Sequence, residues 1–139
     1  MREILIASAA LALLAGCSTL PHPDPKQAWI DLQPKKDSSL RAEQVDARDW
    51  DDKRYFEVQP GSHELTVRYQ FAVDPTNIGP ERDGPLWRDC QLKVSFKTFT
   101  ASERYQLEAG SLGFRPWAKL YDQQGRVVGQ AKPAGCQSA

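Results

Sequence analysis

His63-Glu64-Leu65-Thr66-Val67-Arg68-Tyr69-Gln70-Phe71-Ala72-Val73 is the stretch that decides the fold class. His63, Leu65, Val67, Tyr69, Phe71 and Val73 fall on one parity; Glu64, Thr66, Arg68, Gln70 and Ala72 fall on the other. Side chains of an extended chain point alternately to opposite faces, so this pattern predicts one long strand with a single apolar row. Immediately upstream, Arg54-Tyr55-Phe56-Glu57-Val58 reads as its hairpin partner, joined through Gln59-Pro60-Gly61-Ser62. Pro60 presets φ at the first central position and Gly61 supplies a positive φ at the second, which together make a type II turn.

The same period continues downstream. Cys90, Leu92, Val94 and Phe96 alternate with Gln91, Lys93, Ser95 and Lys97, and residues 104–109 alternate again, so the two read as a second hairpin. Residues 117–122 and 126–129 flank Asp122-Gln123-Gln124-Gly125 as a third. Residues 40–46 suggest an earlier strand, and Trp29-Ile30-Asp31-Leu32 the first ordered element. About seven or eight short strands separated by turn signals, with no long helical period, predict an all-β domain over residues 29–139. Its architecture is a small antiparallel β-sandwich or partly open barrel.

Residues 74–89 interrupt the strands with Pro75, Gly79, Pro80, Gly84 and Pro85. So long a connection in a compact domain is often functional. Ile78, Leu86 and Trp87 lie there beside Arg88 and other charges, an apolar tip of the kind a partner loop needs. The structural alternative is that Trp87 folds back to cover one end of the core.

At the N-terminus, an apolar run over residues 4–15 is followed by Leu14-Ala15-Gly16-Cys17. This resembles the lipobox of bacterial lipoproteins. The run is about twelve residues, whereas a membrane-spanning helix needs roughly twenty. The resemblance implies a signal helix over residues 1–16 that is removed, and a diacylglyceryl group on Cys17 that anchors the chain in a membrane. Ser18, rather than Asp, implies sorting to the outer membrane, with the domain facing the periplasm. Residues 17–28, with Pro21, Pro23 and Pro25, then form a flexible extended tether that holds the domain roughly 30 Å off the bilayer.

With Cys17 lipidated, Cys90 and Cys136 remain and pair in only one way within the chain. An oxidising compartment favours that disulfide, which stabilises by roughly 3–4 kcal/mol in the chain-entropy model. Lys plus Arg and Asp plus Glu number 18 each. Net neutrality argues against nucleic acid, whose phosphates need a basic surplus.

Catalytic chemistry finds no footing. His63-Glu64 lacks a second His at the metalloprotease spacing, and a His beside a turn more often bonds turn backbone. His22 lies in the tether, and Gly110-Ser111-Leu112-Gly113 lacks the nucleophile-elbow spacing. Asp46, Asp49, Asp51 and Asp52 cluster without the glycine a calcium loop uses, and read as a solvated turn. No cofactor or metal is expected.

The string Phe56-Glu57-Val58-Gln59-Pro60-Gly61-Ser62-His63-Glu64-Leu65-Thr66-Val67 resembles the hairpin of PEGA-like domains, small β modules of bacterial envelope proteins. Pro60, Gly61 and His63 carry the motif, and Val45-Asp46 resembles the turn before it, with Ala47 where that turn has glycine. The motif is backbone chemistry and implies no catalytic residue. The whole arrangement is also similar to small Gram-negative envelope lipoproteins of uncharacterised role. The resulting expectation is a non-enzymatic envelope lipoprotein with a binding or assembly role and an envelope protein as partner. The alternative is a binder of, or enzyme on, cell-wall glycans, using Trp87, Trp117 or Tyr121 as stacking surfaces.

Overall fold

The computed structural model describes residues 19–74 and 86–138. Within them the chain forms ten strands: β1 (Ala28–Gln33), β2 (Ser39–Val45), β3 (Arg48–Asp49), β4 (Tyr55–Val58), β5 (Gly61–Val73), β6 (Leu86–Phe99), β7 (Arg104–Leu112), β8 (Arg115–Tyr121), β9 (Val127–Gln130) and β10 (Lys132–Ser138). They build two five-stranded sheets, ordered β4-β1-β7-β8-β9 and β10-β6-β5-β2-β3. The all-β sandwich read from the sequence is the fold. All pairings are antiparallel except β1 with β7, which run parallel.

The long alternating strand is the spine of its sheet. Leu65, Val67, Tyr69, Phe71 and Val73 of β5 are buried, as are Cys90, Leu92 and Val94 of β6. Facing them from the other sheet are Ala28 and Ile30 of β1, Phe56 and Val58 of β4, Leu107 and Ala109 of β7, and Ala118 and Leu120 of β8. Each fully buried large side chain among them removes apolar surface worth about 1.5–3 kcal/mol.

Two expected hairpins are corrected by the topology. β4 does not pair with β5: it pairs with β1, and the Pro60-Gly61 turn carries the chain from one sheet to the other. Gly61 does hold a positive φ of 115° there. Similarly, β6 and β7 lie in different sheets, connected through a turn in which Ser102 has φ 66°. The long hairpin is instead β5 with β6, which stay in register from His63 opposite Phe96 to Val73 opposite Leu86. A period of two reports which face is buried, and a strand in either sheet satisfies it equally. The third expected hairpin, β8 with β9, is present.

Two further boundaries move. β6 begins at Leu86, so Leu86, Trp87 and Arg88 belong to a strand and not to the preceding connection. Cys136 lies within a strand, β10, directly opposite Cys90, and the two are joined by the expected disulfide. The segment before β1 also docks. Ser102 Oγ donates to the Pro25 carbonyl at 2.6 Å, the Ser102 amide donates to Gln27, and the Asp24 amide donates to Glu57. Residues 24–27 are therefore part of the folded body, where the sequence suggested flexible tether.

Candidate functional site

The chain enters at one end of the sandwich. There the Trp29 amide donates to Glu103, and the first residues of β7 lie beside the first of β1. The opposite end gathers the start of β6, the β7–β8 turn and the C-terminal strand. Trp87 stands opposite Ala72, Leu112 opposite Arg115, and Ser138 opposite Arg88. With Gly113 at φ 58° and Phe114 in the second position, the two-residue β7–β8 connection matches a type II′ turn. That tight turn thrusts Leu112 and Phe114 outward. The Arg88 guanidinium lies 5.5 Å from the Phe114 ring centre, tying β6 to the turn of the other sheet.

Exposure marks this end. Leu112 is 77 % exposed, Trp87 44 % and Phe114 38 %, whereas Leu86 packs on the core. Arg88 and the exposed Arg115 flank them. Single exposed apolar residues are ordinary; here three of the five exposed large apolar residues among the described residues gather at one end, the others being Leu20 and Val127. Of the partner-loop residues, Leu86, Trp87 and Arg88 are brought here, while Ile78 lies outside the described residues. Cys17 does too. Leu112 and Phe114 are not among the residues the sequence singles out for a partner, because Gly110-Ser111-Leu112-Gly113 draws attention only as a nucleophile motif. Apolar residues bracketing a turn glycine are the signal that could have found them.

Behind Trp87, the outer face of the β5–β6 sheet carries a polar network. Arg68 Nε donates to Glu43 at 2.7 Å and its Nη1 to Asp89 at 3.1 Å. Gln91 donates to Glu43 at 2.6 Å and Gln70 to Asp89 at 3.1 Å. The hydrogen bond from Arg68 holds the Glu43 carboxyl below its usual range, against the cost of partial burial, and Glu43 raises Arg68 in turn. Every charge here has a partner, which makes the network a rigid backing for β6.

The other residues that the sequence brings forward are engaged internally. His63 lies 2.7 Å from the Gln59 carbonyl through Nε2 and 2.6 Å from Asp46 through Nδ1. It thus ties the Pro60-Gly61 corner to the β2–β3 turn. Asp52 accepts from Arg54, and Asp49 from Gln44. Among the described residues no group of three His, Cys, Asp or Glu side chains is placed to hold a metal ion. Trp87 sits on the outer face of one sheet, while Trp117 and Tyr121 belong to β8 in the other, so the three aromatics do not share a stacking surface. Trp117 lies over Gly110, with the Lys35 and Lys119 ammonium groups 5.4 and 5.7 Å from its ring.

At the chain-entry end, Trp29 stacks on Tyr55 at 4.2 Å and its indole N–H donates to Asp31. Arg104 donates twice to Asp31 and lies 5.6 Å from the Trp29 ring. A cleft of about 440 Å³ opens there between the sheets, with Phe96, Tyr105 and Val128 in its lining and Glu103, Asp122 and Arg126 among its polar residues. Asp122 is committed to Arg126 and to backbone amides of its own turn. Comparison with protein families, curated proteins and solved structures finds no match for this chain.

Proposed function

We propose that this protein is an outer-membrane-anchored periplasmic lipoprotein that serves as a non-enzymatic binding or assembly module, docking an envelope protein through the end bearing Trp87, Leu112 and Phe114. The observation that carries this reading is polarity of the body. The chain arrives at one end, and Trp87, Leu112 and Phe114, three of the five exposed large apolar residues among the described residues, lie at the other, eight steps along β7; Leu20, ahead of β1, and Val127, at the entry end, are the remaining two. At about 3.4 Å per strand residue that separates them by roughly 27 Å. A lipid on Cys17 would hold the entry end toward the bilayer and leave the apolar end facing outward. Trp, Phe and Arg supply what interface centres use: large rigid area, with a planar cation to set register.

Photocrosslinking residues placed in cells at Trp87, at Leu112 and, as a control at the entry end, at Lys97 test this. The supporting result is one protein captured from the first two positions and not from the third. Uniform capture from all three, or none from a folded and lipidated protein, removes the docking role. Cleavage at Cys17 and its acylation are read separately, from the intact mass of the mature chain. The glycan-binding alternative would use Trp117 and Tyr121, which share one face of β8, since Trp87 lies on the other sheet.

A further inference from the structure

Strand β10 adds nothing to the core. Every residue from Lys132 to Ser138 is exposed, so no apolar burial holds the strand in place. Its register with β6 breaks between Pro133 and Cys136, where Gly135 adopts φ 127°. What retains it is a short run of edge hydrogen bonds and one covalent bond, from the exposed Cys136 to the wholly buried Cys90. Ala131 alone separates β10 from β9, and its amide is tied to the Ala118 carbonyl. Beneath it, β6 is long and half covered. Pairing with β10 ends at Lys93, and residues 94–99 have β5 as their only strand partner among the described residues.

We propose that β10 is a disulfide-latched strand which thiol exchange releases, opening the edge of β6 to the β10 of a second copy of this chain. The surface concerned runs along the side of the sandwich and meets the docking end at Arg88, opposite Ser138; bridged peptides between copies report it separately from capture at Trp87. The occupant follows from the seat. A strand entering it must place a cysteine opposite Cys90 and step over a bulge three residues earlier, and every copy of the chain carries that strand. A one-residue hinge favours exchange, because short hinges resist folding back and an identical element from a neighbour restores the same contacts.

The chemistry balances without net oxidation. The thiolate of a Cys-x-x-Cys dithiol protein attacks Sγ of Cys136, the exposed residue of the pair. The Cys136–Cys90 bond breaks, Cys90 leaves as a thiolate, and Cys136 holds a mixed disulfide. With the other copy opened in the same way, the Cys90 thiolate of each copy attacks the Cys136 sulfur of its neighbour, forming two intermolecular bonds and returning both attacking thiolates. Two intramolecular disulfides are lost and two intermolecular ones gained, so the dithiol acts as a catalyst.

The test mixes full-length protein carrying nitrogen-15 with unlabelled protein, adds a catalytic amount of a Cys-x-x-Cys oxidoreductase, quenches with acid and maps the bridged peptides by mass. The expected result is Cys90–Cys136 peptides with one labelled and one unlabelled half, recovered from a covalent dimer. Hydrogen exchange on the reduced protein is expected to accelerate at residues 86–93 and 132–138 while β7 stays protected. Cys136→Ser is expected to show the same local acceleration without added thiol and to give no mixed peptide. Bridged peptides of one label only, after trapping has shown that the bond turns over, overturn the proposal. So does loss of protection throughout the domain at once, which would make the bond a staple of the whole fold.

Discussion

Replacing Ala47 with glycine adds freedom to the unfolded chain, yet the geometry of the β2–β3 turn predicts a more stable protein. Val45 lies opposite Arg48, so Asp46 and Ala47 alone make the connection, with φ of 52° and 65°. Both central residues at positive φ define a type I′ turn, for which Asp-Gly is a preferred pair. Asp46 is held by three contacts: its amide donates to the Glu64 carbonyl at 2.8 Å, its Oδ1 accepts from the Glu64 amide at 2.8 Å, and its Oδ2 meets His63 at 2.6 Å. The turn cannot relax away from the left-handed region without losing them. A β-carbon in that region costs roughly 1–2 kcal/mol, and the extra unfolded-state entropy of glycine takes back about 0.4–1 kcal/mol. The net expectation for Ala47→Gly is a gain of about 0.5–1 kcal/mol. With a urea slope of about 2 kcal/mol/M, the midpoint rises by roughly 0.25–0.5 M at unchanged slope. Urea unfolding followed by far-UV circular dichroism measures this directly. Ala109→Gly, in a central strand at negative φ, is the control and is expected to lose stability. If Ala47→Gly is neutral or destabilising, left-handed strain is not what limits this turn.

Other parts of the fold carry three more expectations. A β-carbon on Gly110 would lie 2.5 Å from Cζ2 of Trp117, so Gly110→Ala is expected to cost about 1–3 kcal/mol, with the cost largely absent in a Trp117→Leu background; a double-mutant cycle in urea reads it. The hydrogen bond from Arg68 keeps Glu43 ionised to lower pH in the folded state, so that stabilisation is complete above the ordinary value of 4.5 and is lost as pH falls through the lower folded value. Glu43→Gln should therefore lose less stability than the parent between about pH 7 and about pH 3, measured by urea midpoints at each pH. Leu112→Ser should leave stability within about 0.5 kcal/mol of the parent, since the side chain is mostly exposed, while abolishing capture from position 87 in the crosslinking assay.

The strands are legible in the sequence where one face is apolar. The row from His63 to Val73 can be read because burial on one side forces alternation, and the same holds for Cys90 to Phe96. Sheet membership is not legible, since Phe56 and Val58 alternate identically whether they join β5 or face it across the core. The Pro60-Gly61 corner looks like a hairpin turn for the same reason. β10 leaves no trace because none of its residues is buried, and a strand with no inner face has no period. Trp87 stands out as an aromatic among charges, but the prolines and glycines of the preceding connection mask the start of its strand. The disulfide is legible from counting cysteines. The polar network is not, because Glu43, Arg68 and Asp89 are far apart in sequence and meet only across paired strands.

The parallel pairing of β1 with β7 bears on how quickly the molecule can assemble. Asp31 and Arg104 are separated by 73 residues along the chain, yet they meet at the centre of their sheet. The β5–β6 hairpin needs only its own connection to close and can form first. β1 must wait, unpaired on that side, until the last third of the polypeptide has been made and threaded into place. Contacts so distant in sequence place the protein among slow-folding β topologies. Until β7 arrives, Trp29 and Ile30 are exposed on an open edge, so a chain caught in that interval is vulnerable to aggregation and has most need of a chaperone.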